Sequence, residues 1–255
     1  MTTPQISKSL YAIVAGVGGG TGRAVALRFA RAYPVAVLAR SESSYADVVA
    51  EITQRGGEAV GVSADVADEK SLAHALGVVK EKFADKGLAA AVFNVGAGFA
   101  IKPFLETTVD DFDRSIAGNA RGLYNFSKAT LPLLLSTASS STSPPPYPPT
   151  LLVTGATASL RGSARFGPFA AGKFAARALA QSLAREFGPQ GVHVAHVVVD
   201  GVIDGPRTKG YTVNGGVEGG KLDPEAIAES YWHLHTQHRS TWTHELDLRP
   251  YVEKF

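Results

Sequence analysis

Cysteine is absent from all 255 positions, which excludes disulfides and thiolate chemistry. No apolar run approaches the ~20 residues that a membrane-spanning helix needs, and no block of like charge runs through the chain. With a formal net charge of +2, neither a nucleic-acid surface nor an acidic-membrane surface is expected. The opening MTTPQISKSL lacks the long apolar stretch of a secretory signal. The closing VEKF carries no lipidation or peroxisomal signal. The expectation is a soluble, cytoplasmic protein acting on a small-molecule substrate. Tyrosine is missing from 148 to 210, a gap whose meaning depends on the motifs around it.

What is present is a regular alternation. Short β-branched runs lie near 10–15, 34–39, 58–63, 88–94, 150–154 and 191–199, and helical patterns near 20–32, 44–56, 69–85, 109–135 and 168–187 separate them. The strand runs are apolar without strict alternation, as suits strands covered on both faces. A further short strand near 244–248 is expected at a sheet edge. Regular β-α alternation predicts an α/β, Rossmann-type doubly wound fold. Its sheet would have seven mostly parallel strands and helices on both faces. We expect one domain over 1–255. Residues 136–149 (STASSSTSPPPYPP) interrupt the rhythm. Proline denies them helix and ladder hydrogen bonds, so they read as an exposed loop extension.

The first strand runs into Gly16-Val17-Gly18-Gly19-Gly20-Thr21-Gly22 and then a helix. Such a turn lets the backbone approach a pyrophosphate where side chains would block it. The helix start then offers free N–H groups and the positive end of its dipole. In strand–turn–helix context this predicts dinucleotide binding through Gly16, Val17, Gly19, Gly20, Thr21 and Gly22. The second strand ends at Arg40, where dinucleotide folds place an acid on the ribose 2′-OH. No carboxylate stands there to repel a 2′-phosphate, and a guanidinium suits one. The cofactor expected is NADP(H). Asp65, ending the third strand, suits the adenine amino group. The competing reading is a helix N-cap, although Asp68 fits that role better.

At these motifs the chain resembles the short-chain dehydrogenase/reductase family over about residues 9–205. Gly16 to Gly22 resembles its T-G-x-x-x-G-x-G, with Ala15 in the Thr position. Ala64-Asp65-Val66 resembles its adenine-contacting D-V, and Asn94-Val95-Gly96-Ala97 a degenerate N-N-A-G. The resemblance implies that Asn119 is the helical Asn that positions a proton-relay water. It makes Lys173 the Lys of Y-x-x-x-K, able to bond the nicotinamide ribose hydroxyls. Asp200-Gly201-Val202-Ile203 resembles P-G-x-V, with Asp for Pro, and Ile203 would meet the nicotinamide amide through its backbone. The stretch 204–222 would be the substrate loop. The helices at 109–135 and 168–187 resemble those through which the family pairs, so a homodimer or homotetramer is expected.

By the same resemblance the catalytic Tyr falls on Phe169 and the catalytic Ser on Ala156. No shift of the motif within this helix recovers a tyrosine. Phe has no proton to give and Ala no hydroxyl, whereas general acid catalysis is worth roughly 10²–10⁴-fold. Thr157 and Ser159 either bond a substrate oxygen or serve local turn chemistry. Tyr211 either enters the site on loop closure or is an exposed loop residue. Asp200, at the end of a central strand, either holds a cationic group or carries a proton, or forms an Asx-type turn before Gly201. His193 and His196 point to opposite faces of one strand, and nothing completes a metal site around His233, His235 and His238, so no metal is expected. The catalytic set expected is Asn119, Lys173 and Asp200. The function expected is an atypical NADP(H)-dependent oxidoreductase reducing an imine, iminium or activated alkene. The alternatives are an impaired NADP(H)-binding sensor or scaffold, and a non-redox enzyme on the same scaffold.

Overall fold

The structure, a computed structural model, describes residues 6–140 and 144–254. The first five residues, positions 141–143 of the Ser/Pro-rich segment and the final Phe255 lie outside them. In chain order the elements are β1 (Leu10–Ala15), α1 (Thr21–Ala30), β2 (Val35–Ala39), α2 (Ala46–Gln54), β3 (Ala59–Ser63), α3 (Glu69–Lys82) and β4 (Gly87–Phe93). There follow α4 (Val109–Ser115), a π-helical turn (Ile116–Arg121), α5 (Gly122–Ala138), β5 (Thr150–Thr154), α6 (Gly167–Phe187), β6 (His193–Val199), α7 (Pro224–His235) and β7 (Glu245–Leu248).

The seven strands form one sheet in the order β3-β2-β1-β4-β5-β6-β7, and every neighbouring pair is parallel. Every residue of β1, β2 and β6 is buried, which is why these strands read as continuous apolar runs. One core layer packs Ala24, Val25 and Phe29 of α1 with Val48 and Ile52 of α2 and Ile227, Tyr231 and Leu234 of α7. The opposite layer packs Leu72 and Val79 of α3 with Leu123, Phe126 and Leu134 of α5 and Ala176 and Ala180 of α6. Helices therefore cover both faces. The chain crosses over between β1 and β4, so their carboxyl ends flank the crevice where such sheets bind ligands.

Local signals account for the helix starts. Asp68 caps α3 by accepting from the N–H groups of Lys70 (2.8 Å) and Ser71 (3.1 Å). Thr108 and Asp111 form a reciprocal capping box on α4. Asp223 caps α7 ahead of Pro224 at the first helical position. The pattern at 109–135 departs from one straight helix: a π turn separates α4 from α5. Helix α5 also runs to Ala138, so the loop extension starts later than its Ser-rich composition suggests. Buried Thr137 holds that last turn against the sheet. Its hydroxyl donates to Leu133 O (3.1 Å) and lies 2.8 Å from where a Cβ on Gly87 would stand.

The histidines serve the frame. Val194 and Ala195 fall in opposite core layers, and accordingly His193 and His196 part. His193 stacks on Trp242 at 4.9 Å, and His196 bonds Glu245 (2.9 Å), itself held bidentately by Arg177 of α6 at 2.7 Å. His235 is fully buried and joins three elements. Thr150 Oγ1 donates to Pro148 O, so it accepts from His235 Nδ1–H (2.9 Å). Nε2 is then left to accept from the Tyr33 hydroxyl (2.9 Å). Among the described residues no cluster of three or more His, Asp or Glu could hold a metal, and no helix is long and apolar enough to cross a membrane.

Candidate functional site

At the β1–β4 crevice the backbone is pressed together. Gly16 has φ +85°, and a Cβ on it would lie 2.3 Å from Asn94 O. A Cβ on Gly22 would lie 2.5 Å from Gly16 O. Only glycine fits either position. Gly20 is different: a Cβ there would meet nothing within 4 Å, and the same holds for Gly18 and for Gly96 across the crevice. Glycine at these open positions is not required by packing; it keeps a surface bare. Beside it, α1 begins at Gly20 without a side-chain cap and without an acid in its first turn. The buried Thr21 hydroxyl has no partner among the described residues. Uncapped N–H groups, an orphaned hydroxyl and a bare backbone fit a diphosphate. Gly19 lies beneath the base of the 204–222 loop, where a Cβ would stand 3.2 Å from the Pro206 ring. Val17 has a different part: its side chain is buried and its N–H is spent on Leu38 O (3.1 Å), so it anchors the turn.

Around the rim, Arg40 at the end of β2 is exposed, and no acid pairs with it among the described residues. Asp65 is exposed, and one carboxylate oxygen accepts from Ala67 N–H (2.9 Å). Val66 is buried, and its carbonyl accepts from the Asn125 amide (3.0 Å). Ile203 pairs with Leu222 in a short bridge that ties the loop to its own start.

The crevice floor is a chain of donors. The Tyr231 hydroxyl lies 2.7 Å from Thr154 Oγ1. Thr154 donates to Asn94 Oδ1 (3.0 Å), and the Asn94 amide donates to Gly16 O (3.0 Å). Since Thr154 gives its hydrogen to Asn94, Tyr231 gives its own to Thr154. Asn94 thus locks the ends of β1, β4 and β5 together. Thr154 and Tyr231 carry no local motif, so sequence reasoning missed them.

Lys173, on α6, is buried; its ammonium donates to Val95 O and Thr154 O (3.1 Å each). Burial pulls its pKa down to about 8. The Phe169 ring lies one turn earlier, its centroid 6.0 Å from Nζ. Asn119, in the π turn, is fully buried, and its amide nitrogen is spent on Ala97 O and Ser115 O (2.9 Å each). Asp200 is neither an open carboxylate nor the acceptor of an Asx turn. It is 3% exposed, accepts from the Thr157 hydroxyl and lies 3.6 Å from Arg249 Nη2. Thr157 is thereby occupied, and Ser159 Oγ accepts from Ala156 N–H (3.1 Å). Ser159 thus bonds within its own turn, whereas Thr157 reaches across to Asp200 on another segment. Tyr211 is exposed on the loop. Phe99, Phe104 and Phe166 were also missed. Phe99 meets Phe169 edge-on at 5.2 Å and Phe166 at 5.9 Å, contacts between segments too far apart in sequence to signal one another.

The sequence profile of the short chain dehydrogenases matches residues 10–212. A short-chain dehydrogenase/reductase of Armillaria gallica is 31% identical over 199 residues, covering 76% of this chain and 71% of that protein. The crystal structure of a short-chain dehydrogenase from Rhodopseudomonas palustris is 33% identical, with a TM-score of 0.75, and covers 94% of this chain and 99% of the other. A short chain dehydrogenase from Burkholderia cenocepacia, crystallised in complex with NADP, is 25% identical, with a TM-score of 0.80 and coverage of 95% and 97%. Crevice geometry, strand order and sequence agree: the chain belongs to the short-chain dehydrogenase family.

Proposed function

We propose that the chain is an NADP(H)-dependent oxidoreductase whose substrate accepts hydride without a side-chain proton donor. The observation that carries the reading is the bare backbone at Gly18 and Gly20 against an uncapped helix start. The NADP-bound Burkholderia relative supports it. Glycine residues 16 to 22, the Thr21 hydroxyl and the α1 N–H groups would hold the diphosphate, and Arg40 the 2′-phosphate. Asp65, Val66, Val95, Gly96 and Ile203 would line the adenine and nicotinamide ends. Lys173 would meet the nicotinamide ribose, and Asn119 would fix the segment at Ala97. When bound, the cofactor supplies or accepts a hydride.

The chain's own residues define the rest of the chemistry. We read Phe169 and Ala156 as standing where the family has its Tyr and Ser, supported by the four-residue step from Phe169 to Lys173. The Thr157 hydroxyl is given to Asp200, which is buried and lies 3.6 Å from Arg249, and Ser159 Oγ accepts from Ala156 N–H. On this reading neither Phe169 nor Ala156 gives a proton to a carbonyl oxygen. An iminium carbon needs none, because the hydride cancels the nitrogen's charge. A conjugated alkene takes its proton from solvent afterwards. Both acceptors fit; a simple ketone does not.

Fluorescence titration tests the cofactor: the protein should prefer NADPH to NADH, and Arg40→Asp should erase the preference, a tenfold change being about 1.4 kcal/mol. Turnover is tested with a panel of ketones, iminium salts and enones. Nucleotide binding with no turnover on any of them would favour the second reading, a NADP(H)-binding sensor, which the lack of a proton donor also supports.

A further inference from the structure

Several polar side chains at the site are engaged within the protein. The Asn119 amide nitrogen and the Thr157 hydroxyl are spent on the protein. What faces outward instead is aromatic. Phe99 is 65% exposed and Phe104 75%. The Phe99 ring packs T-shaped against Phe169 (82°) and Phe166 (65°), and most of its surface stays open to solvent. Phe104 borders Gly167 at the start of α6, where a Cβ would lie 3.5 Å from its ring. Two loops build this wall and are clipped together: Lys102 N–H donates to Arg165 O (3.1 Å). Arg165 holds φ +73°, one of two non-glycine residues with positive φ among those described. Such a backbone persists only where its surroundings fix it. Its side chain is exposed, and no carboxylate pairs with it among the described residues. The nearby acid Asp111 is buried and already bound to Lys102 (2.8 Å) and Arg114.

We infer that this lip is a recognition site for a flat, conjugated ring bearing an anionic group. The ring stacks on the Phe99–Phe166–Phe169 wall and the anion pairs with Arg165. Aromatic faces select flat conjugated surfaces by offset or edge-on contact, and a guanidinium fork selects carboxylate or phosphate geometry. The inference rests on the proposed oxidoreductase reading and narrows it: of the acceptors that need no proton donor, it selects those built into a conjugated, anionic framework.

Calorimetric titration of the NADP⁺-loaded protein with three probes tests it: 2-naphthoate, the uncharged 2-naphthamide, and the saturated decahydro-2-naphthoate. Naphthoate should bind about tenfold more tightly than either of the others. Arg165→Gln should abolish the advantage over the amide, and Arg165→Lys should restore part of it. Phe99→Ala should weaken both flat probes about fivefold while leaving the saturated one unchanged. Phe99 and Arg165 are exposed, so the variants should keep wild-type NADPH affinity, measured separately by fluorescence. Equal binding of all three probes, no binding of any, or no loss in Arg165→Gln overturns the proposal. So does a drop in particle mass by light scattering in Phe99→Ala without loss of probe binding, which would make the wall a self-association surface. Failure of NADPH itself to bind would instead remove the reading beneath it.

Discussion

At the scale of single residues, the proposed chemistry turns on Lys173 and Phe169. Burial holds the Lys173 pKa near 8 against an ordinary value of 10.5. Its ammonium is therefore present below pH 8 and lost above it. If it grips the nicotinamide ribose, NADPH affinity should fall as pH rises through 8, and Lys173→Arg should flatten that dependence in a fluorescence titration. Stability moves the other way. Between about pH 8 and 10.5 the unfolded chain holds the extra proton, so this residue makes stability rise with pH in that window. Phe169 is buried and one helical turn from Lys173, so a phenol placed there would stand near an ammonium that lowers its pKa. Phe169→Tyr with Ala156→Ser should therefore gain ketone reduction, by roughly 100-fold or more over the wild type. The measurement is NADPH consumption with simple ketones. An unchanged rate would mean that these two positions are not the ones missing an acid.

At the scale of elements, the strand-to-helix turn separates glycines that packing requires from glycines that it does not. A Cβ at Gly16 would enter Asn94 O at 2.3 Å and would also sit at φ +85°. Gly16→Ala should lower stability by about 3 kcal/mol or more, read as a loss of the folded baseline on urea titration. A Cβ at Gly20 meets nothing within 4 Å. Gly20→Ala should keep the thermal midpoint within about 3 °C yet weaken NADPH binding more than tenfold. Equal affinity in the two proteins would show that the bare backbone is not where the diphosphate lies. The Tyr231–Thr154–Asn94 chain belongs to this scale as well, since it ties α7 to the turn through two strands.

At the scale of the whole molecule, acid should act through the buried histidines. His235 bridges Tyr33 and Thr150, and burial pushes its pKa to about 3. Its neutral form is favoured in the fold, so its contribution to stability is complete above pH 6.5 and is lost as pH falls from 6.5 toward 3. His235→Phe should reduce the slope of stability against pH in that window by up to about 1.4 kcal/mol per unit, measured by urea midpoints. His193 and His196, also shifted down by burial, should retain theirs. The sheet was legible in the chain because β1, β2, β4 and β6 are covered on both faces, so their apolar runs match the strands to within a residue or two. The glycine turn was legible because sterics at Gly16 and Gly22 demand glycine. Asp200 was not legible: a carboxylate at a strand end reads as available, and only the arrival of Thr157 and Arg249 from other segments neutralises it. The π turn at Ile116–Arg121 and the aromatic lip were hidden for the same reason. Period, turn chemistry and backbone sterics are local, and the sequence by itself determined what depends on them: the strands, the crevice and its bare backbone. Which polar groups are spent, which rings meet and which charge stays open depend on side chains brought together from distant positions. Those the tertiary structure alone decided, because packing, not order along the chain, sets the distances over which they act.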